Sequence, residues 1–197
     1  MTDEGRRPSL AAAWRPWTIA AAIGLTAVDA LVLHLMGRRV WCECGSLSPW
    51  SWDIWSSHNS QHLIDPYTFT HVLHGAVYYA VLRLLLGPRR PSLRALLAVI
   101  IEVGWEIGEN TNGVIAAYRE ATIALNYYGD SIANSVSDVI AFALGYSAAM
   151  RLPVWVSVVA FVAVEAALLL TIRDSLILNI VMLLHPFSAI KTWQMGG

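Results

Sequence analysis

Long apolar runs, separated by short polar intervals, dominate the chain. Trp17–Met36, Tyr67–Leu86, Ser92–Asn110, Asp130–Met150 and Pro153–Ile172 each offer about the 20 residues that a helix needs to cross a bilayer core. A sixth, weaker run, "SLILNIVMLLHPFSAIKTW", contains Pro186, which has no amide proton and breaks or kinks a helix. The pattern predicts an all-α fold, a polytopic helical membrane bundle of five or six transmembrane helices. Residues 17–197 would form one membrane-embedded domain, and residues 1–16 a tail before it. The first run is long for a signal-peptide core and lacks a clear small-residue cleavage site, so it is expected to be retained as an anchor.

Composition agrees. Of 197 residues, 56% are hydrophobic and 14% charged, with a mean hydropathy of +0.52; soluble domains carry about 25% charged residues. A net charge of −1 gives no basic face for nucleic acid, so the expected partner is the lipid bilayer. Two cysteines, in the order Cys42-Glu43-Cys44, are too few for a disulfide framework. Their spacing closes a cramped ring, which leaves a free or metal-bound pair open beside a disulfide.

Charge also orients the spans, because Lys and Arg accumulate on the cytoplasmic side. With the N-terminus inside, Arg6, Arg7, Arg15, Arg83, Arg89, Arg90, Arg94, Arg151 and Lys191 fall on that side. Arg38, Arg39, Arg119 and Arg173 fall on the other. The two long connections, 37–66 and 111–129, then face outward. They are polar and aromatic (Trp41, Trp50, Trp52, Trp55, Tyr127, Tyr128), as interfacial loops are.

Polar residues interrupt this pattern in register. In "IEVGWEIGEN" Glu102, Glu106 and Glu109 lie four and three residues apart and share one helix face. In "GDSIANSVSD" Asp130, Asn134 and Asp138 recur every fourth residue. In "DPYTFTHVLHG" His71 and His74 enter from the same surface. At about 1.5 Å per residue, the glutamate and the Asp/Asn stripes run from the outer rim to two turns deep, His71 and His74 lie between one and two turns down, and Asp29 and Glu165 lie at similar depth. An ionised side chain at the bilayer centre costs roughly 2.5–3.5 kcal/mol, so these groups must face inward, share protons or bind cations. The expected site is a polar cavity open to the outside, with Glu102, Glu106, Asp130, Asn134 and Asp138 as candidate catalytic residues. Asp29 and Glu165, alone on their helices, read as structural, as does His185.

His71-x-x-His74 presents two imidazoles on nearly one face, a spacing able to hold a transition metal. The expected ligands are His71, His74, Glu106 and Asp130, around zinc, or manganese if oxygens dominate. A His–carboxylate pair working as general acid and base without metal is the alternative. No serine stands in a nucleophile-elbow context. His58 and His62 precede the second span and either close over the cavity or are solvated; Cys42 and Cys44 either bind metal or serve the local structure. The functions compatible with such a cluster are a lipid- or envelope-modifying metal-dependent enzyme, an ion-coupled transporter, and an assembly factor whose polar core fixes its shape. Ser135 and Ser137, with Asn134, also suit ordinary interhelical hydrogen bonding. The absence of two related halves in the sequence weighs against a transporter.

The stretches "SQHLIDPYTFTHVLHG", "EVGWEIGEN", "YYGDSIANSVSD" and "HPFSAIKTWQ" resemble an uncharacterised family of bacterial inner-membrane proteins, the domain-of-unknown-function family numbered 2585. The resemblance implies a multi-pass inner-membrane location and carries no established activity. A fainter likeness is to VanZ-like membrane proteins, which also set a His, a Glu and a "D…N…D…G" pattern in successive spans, here Asp130, Asn134, Asp138 and Gly145.

Overall fold

The computed structural model describes residues 8–121 and 126–195. Among them lie nine helices: α1 (Leu10–Ala13), α2 (Pro16–Leu35), α3 (Thr68–Leu86), α4 (Pro91–Glu109), α5 (Asn112–Ala121), α6 (Ile132–Arg151), α7 (Val154–Ile172), α8 (Leu176–Leu184) and α9 (Ser188–Gln194). Local chemistry sets the boundaries. Pro16 and Pro91 open α2 and α4, where a missing N–H costs nothing. Gly87, with φ 70°, ends α3, and Ser131 caps α6 by accepting from the Asn134 amide at 3.1 Å.

Four helices, α2, α3, α6 and α7, are long and apolar enough to cross a membrane. The predicted third span, α4, matches them in length at 19 residues but carries Arg94 and three glutamates. It packs against α2, α3 and α6, which shelter those charges. The weak sixth run is not one continuous helix, as Pro186 predicts. It divides into α8, of nine residues, and α9, of seven, because the chain leaves helical geometry at His185-Pro186-Phe187. Nine residues rise only about 14 Å, against a hydrocarbon core of about 30 Å. The 111–129 connection, expected as a loop, contains α5, while residues 122–125 of it lie outside the described part.

The most extensively packed pair of helices is α3 with α6. Gly75 and Gly145 make that packing possible. A Cβ on Gly75 would run into the Phe142 carbonyl and the Tyr146 amide, and one on Gly145 into the Val72 carbonyl. The bundle is divided along its length. Toward one end Tyr79, Leu82, Ala95, Ala98, Val99, Phe142, Tyr146 and Met150 form an apolar core. Toward the other, which carries the 36–67 loop, the buried residues are polar: His71, His74, Glu102, Glu106, Asn110, Asp130, Asn134 and Asp138. On α2 and α7 exposed apolar side chains such as Ile23, Leu31, Val158 and Val162 give the outer surface that lipid would cover.

Candidate metal centre

The site is built from three helices and one loop. Spacings of three and four residues put His71 and His74 on one face of α3, and Glu102 and Glu106 on one face of α4. The α3–α6 contact fixes where the first face points. Around Glu102 the geometry is tight. The Nδ1 of His71 lies 2.7 Å, and that of His74 3.3 Å, from the same oxygen, Glu102 Oε1. His71 Nδ1 is also 3.2 Å from Glu106 Oε1, and both glutamates are wholly shielded from solvent. Trp105 and Tyr78 hold His74 in place, one edge-on and one stacked. These atoms form two groups able to hold a metal ion: His71, His74 and Glu102, and His71, Glu106 and Glu109.

Beside this cluster a small cleft of about 60 Å³ is lined by His71, His74, Glu109, Asp130 and Asp138, with Tyr67, Trp105, Tyr118 and the apolar Leu176 and Ile180 of α8. Glu102 and Glu106 are not on its wall; they lie behind the two imidazoles. Asp138 is 3% exposed and its Oδ1 has no hydrogen-bond partner among the described residues. The same holds for Asp65 Oδ2 and Asn134 Oδ1. Leaving such a group unpaired costs about 1–3 kcal/mol, so the unpaired oxygens mark this end of the bundle as a site that gains from a bound cation or proton.

The remaining predicted residues have other partners. Asp130 accepts from Asn110 Nδ2 at 2.6 Å while its own amide donates to Asn110 Oδ1 at 2.7 Å. This reciprocal clamp ties the end of α4 to the start of α6. Burial pushes the Asp130 carboxyl up to about 7, against the opposing pull of the Asn110 amide. Asp130 lines the cleft but belongs to neither metal-binding group. Asn134 donates to the His62 carbonyl at 2.8 Å, which fastens the 36–67 loop to α6. The Ser131 amide makes a second such fastening, to the Ser60 carbonyl at 2.9 Å.

Three contributors, Ser135, Asp29 and Asp65, do not stand out as site residues in the sequence. Ser135 Oγ lies 2.7 Å from Glu106 Oε2 and 2.8 Å from Asp29 Oδ2, so Asp29, read as structural, touches the network through it. A hydroxyl has one proton to donate, so one of these two carboxyls must donate in its own bond. Asp65 exchanges hydrogen bonds with Thr68 at 3.0 and 3.1 Å and so caps the first turn of α3, just below His71. Burial holds its carboxyl above the usual range. The spacing Asp65-x-x-Thr68 is a capping signal visible in the sequence; the Ser135 bridge is not, because its two partners are on different helices. Glu165, by contrast, is structural as expected: its oxygens accept from the Leu176 and Ile177 amides and cap α8.

Residues 33–196 match the family model described as "Protein of unknown function (DUF2585)". The chain is 46% identical over 194 residues to a UPF0314 protein of Rhizobium meliloti (strain 1021), covering 98% of this chain and 95% of that one. It is 47% identical over 195 residues to one of Sinorhizobium fredii (strain NBRC 101917 / NGR234), covering 99% and 96%. One of Paracoccus denitrificans (strain Pd 1222) is 47% identical over 165 residues, covering 84% and 86%. No solved structure matches. Of the two resemblances in the sequence, the first is shown and the VanZ likeness is not: this chain belongs to the DUF2585 family of bacterial proteins of unknown function.

Proposed function

We propose that this protein is a metal-dependent hydrolase of the bacterial inner membrane, acting from the outer face on a lipid-linked ester or phosphoester. The observation that carries the reading is the convergence of His71, His74 and Glu102. Two imidazoles and one glutamate, with a fourth position left open, are a ligand set that catalytic zinc sites use. Bonds of about 2.0–2.2 Å in a tetrahedron give ligand-to-ligand edges of about 3.3 Å; His74 Nδ1 stands 3.3 Å from Glu102 Oε1, while His71 Nδ1, at 2.7 Å, is in hydrogen-bond contact and would move out by about 0.6 Å to admit the ion. A divalent ion there would lower the pKa of a bound water and polarise the scissile group. Its charge would also offset two adjacent carboxylates.

Glu106, next to that group and held by Ser135, is the candidate base for the water proton. The cleft offers Asp138, Glu109 and Asp130 to the polar end of a substrate, and Leu176 and Ile180 to an apolar chain. The outward orientation and the cytoplasmic N-terminus rest on the Lys and Arg asymmetry.

The test is lipid turnover. The protein, reconstituted with an envelope lipid extract and zinc or manganese, should convert a lipid species detectable by mass spectrometry. Glu106→Gln should abolish conversion while retaining the metal, and the double variant His71→Ala, His74→Ala should lose both. An extract left unchanged by the metal-loaded wild type would overturn the hydrolase reading.

A further inference from the structure

A second cluster lies outside the membrane helices, on the loop between α2 and α3. Cys42, Cys44, His58 and His62 bring two sulfurs and two ring nitrogens within 4.8 Å of one another. We propose that Cys42, Cys44, His58 and His62 form a zinc site that staples this loop over the mouth of the cleft. It is independent of the intramembrane centre and shares no residue with it.

The sulfur–nitrogen and nitrogen–nitrogen distances lie near those of a tetrahedral ion, while the two sulfurs would have to part from their S–S bond. With Zn–S near 2.3 Å and Zn–N near 2.0–2.1 Å, such a site has S···N edges of about 3.6 Å and an N···N edge of about 3.3 Å. Here Cys42 Sγ to His58 Nδ1 is 3.6 Å, Cys44 Sγ to His62 Nε2 is 4.0 Å, and His58 Nδ1 to His62 Nε2 is 3.1 Å. His62 is also oriented as a ligand. Its Nδ1 lies 2.7 Å from the Ser48 carbonyl, which can only accept, so Nδ1 carries the proton and Nε2 presents its lone pair. A backbone carbonyl on the far nitrogen is the usual partner of a metal-bound imidazole. The Cys44 amide donates to Cys42 Sγ at 3.2 Å, a bond that favours a thiolate.

The structure joins Cys42 and Cys44 in a disulfide, with Cα atoms 5.3 Å apart. An S–S bond accounts for the two cysteines but not for two imidazoles turned toward them. Chains are synthesised as dithiols, so metal and S–S bond compete for the same sulfurs. Binding is then ligand exchange without electron transfer: two thiols and one zinc ion give a dithiolate complex and two protons. Entry is open, because Cys42 and Cys44 line a solvent-exposed basin with Glu43, Ser57 and Gln61. The site has a consequence for the cleft, since Asn59 and Ser60, which line it, stand between the two histidine ligands.

The experiment uses full-length protein purified in detergent under anaerobic reducing conditions and titrated with cobalt(II) and then zinc. Cobalt should produce a near-ultraviolet thiolate-to-metal charge-transfer band, to which the intramembrane centre, lacking sulfur, cannot contribute. Zinc should abolish that band and slow alkylation of Cys42 and Cys44 by at least ~10-fold. Cys44→Ser and His58→Ala change the two less buried ligands and should each lose the band while the protein remains folded. Alkylation indifferent to zinc, a band that survives in both variants, or uptake of copper(I) with none of zinc would overturn the proposal.

Discussion

Ser135 shows how much the candidate centre depends on single hydrogen bonds. Its hydroxyl joins Glu106 of α4 to Asp29 of α2. Ser135→Ala should therefore cost about 1–3 kcal/mol in thermal unfolding, and Ser135→Thr, which keeps the hydroxyl, should cost less. Asp174 supplies a pH test away from the centre. It accepts from the Tyr67 hydroxyl at 3.0 Å and the Ser175 amide at 2.9 Å, and burial raises its carboxyl from 3.8 to about 6. Between those values the folded chain binds more protons at this group than the unfolded chain does. Its contribution to stability is full below the lower value and is lost as pH rises through about 6. Asp174→Asn cannot ionise, so melting temperature measured across that window should decline less steeply than in the wild type. Residues that share a face through spacing, such as His71 with His74 and Glu102 with Glu106, were legible in the sequence. The choice of Glu102 rather than Asp130 beside both imidazoles was not. It depends on the distance between α3 and α4, and a one-dimensional pattern does not contain that distance.

At the scale of elements, the five long runs were legible as helices because their length and composition are local properties, and four of them are long and apolar enough to cross a membrane. The weaker sixth run divides into α8 and α9 at Pro186, the break its proline predicts. Helix α5 was hidden because its pattern is too polar to register as a span, and "TNG" at its start reads as a loop. The α3–α6 contact is the element-level determinant of the site. Gly145→Val places branched carbons against the Val72 backbone and should destabilise by more than the ~1–3 kcal/mol of ordinary overpacking. It should also weaken metal binding, since it moves His71 and His74 relative to α6. On α2, a Cβ added at Gly24 would meet nothing within 4 Å. Gly24→Ala should therefore leave the protein unchanged or stabilise it by about 0.5–1 kcal/mol.

For the whole molecule, the division into an apolar half and a polar half fits a protein that opens to water at one membrane surface. Which surface is tested by single cysteines at Ser57, on the loop, and Ser92, at the start of α4, in a background lacking Cys42 and Cys44. An impermeant thiol reagent should label Ser57→Cys in intact cells and Ser92→Cys only after permeabilisation; the reverse would turn the cleft to the cytoplasm. The central claim, a divalent ion held by His71, His74 and Glu102, is tested most directly by elemental analysis of detergent-purified protein in the Cys42→Ser, Cys44→Ser background, which removes the thiolate site. The account predicts about one zinc or manganese ion per chain, lost when His71→Ala and His74→Ala are added and retained with Glu106→Gln. A folded protein in that background that takes up neither metal, or one whose metal content is unchanged by the loss of both histidines, would contradict it.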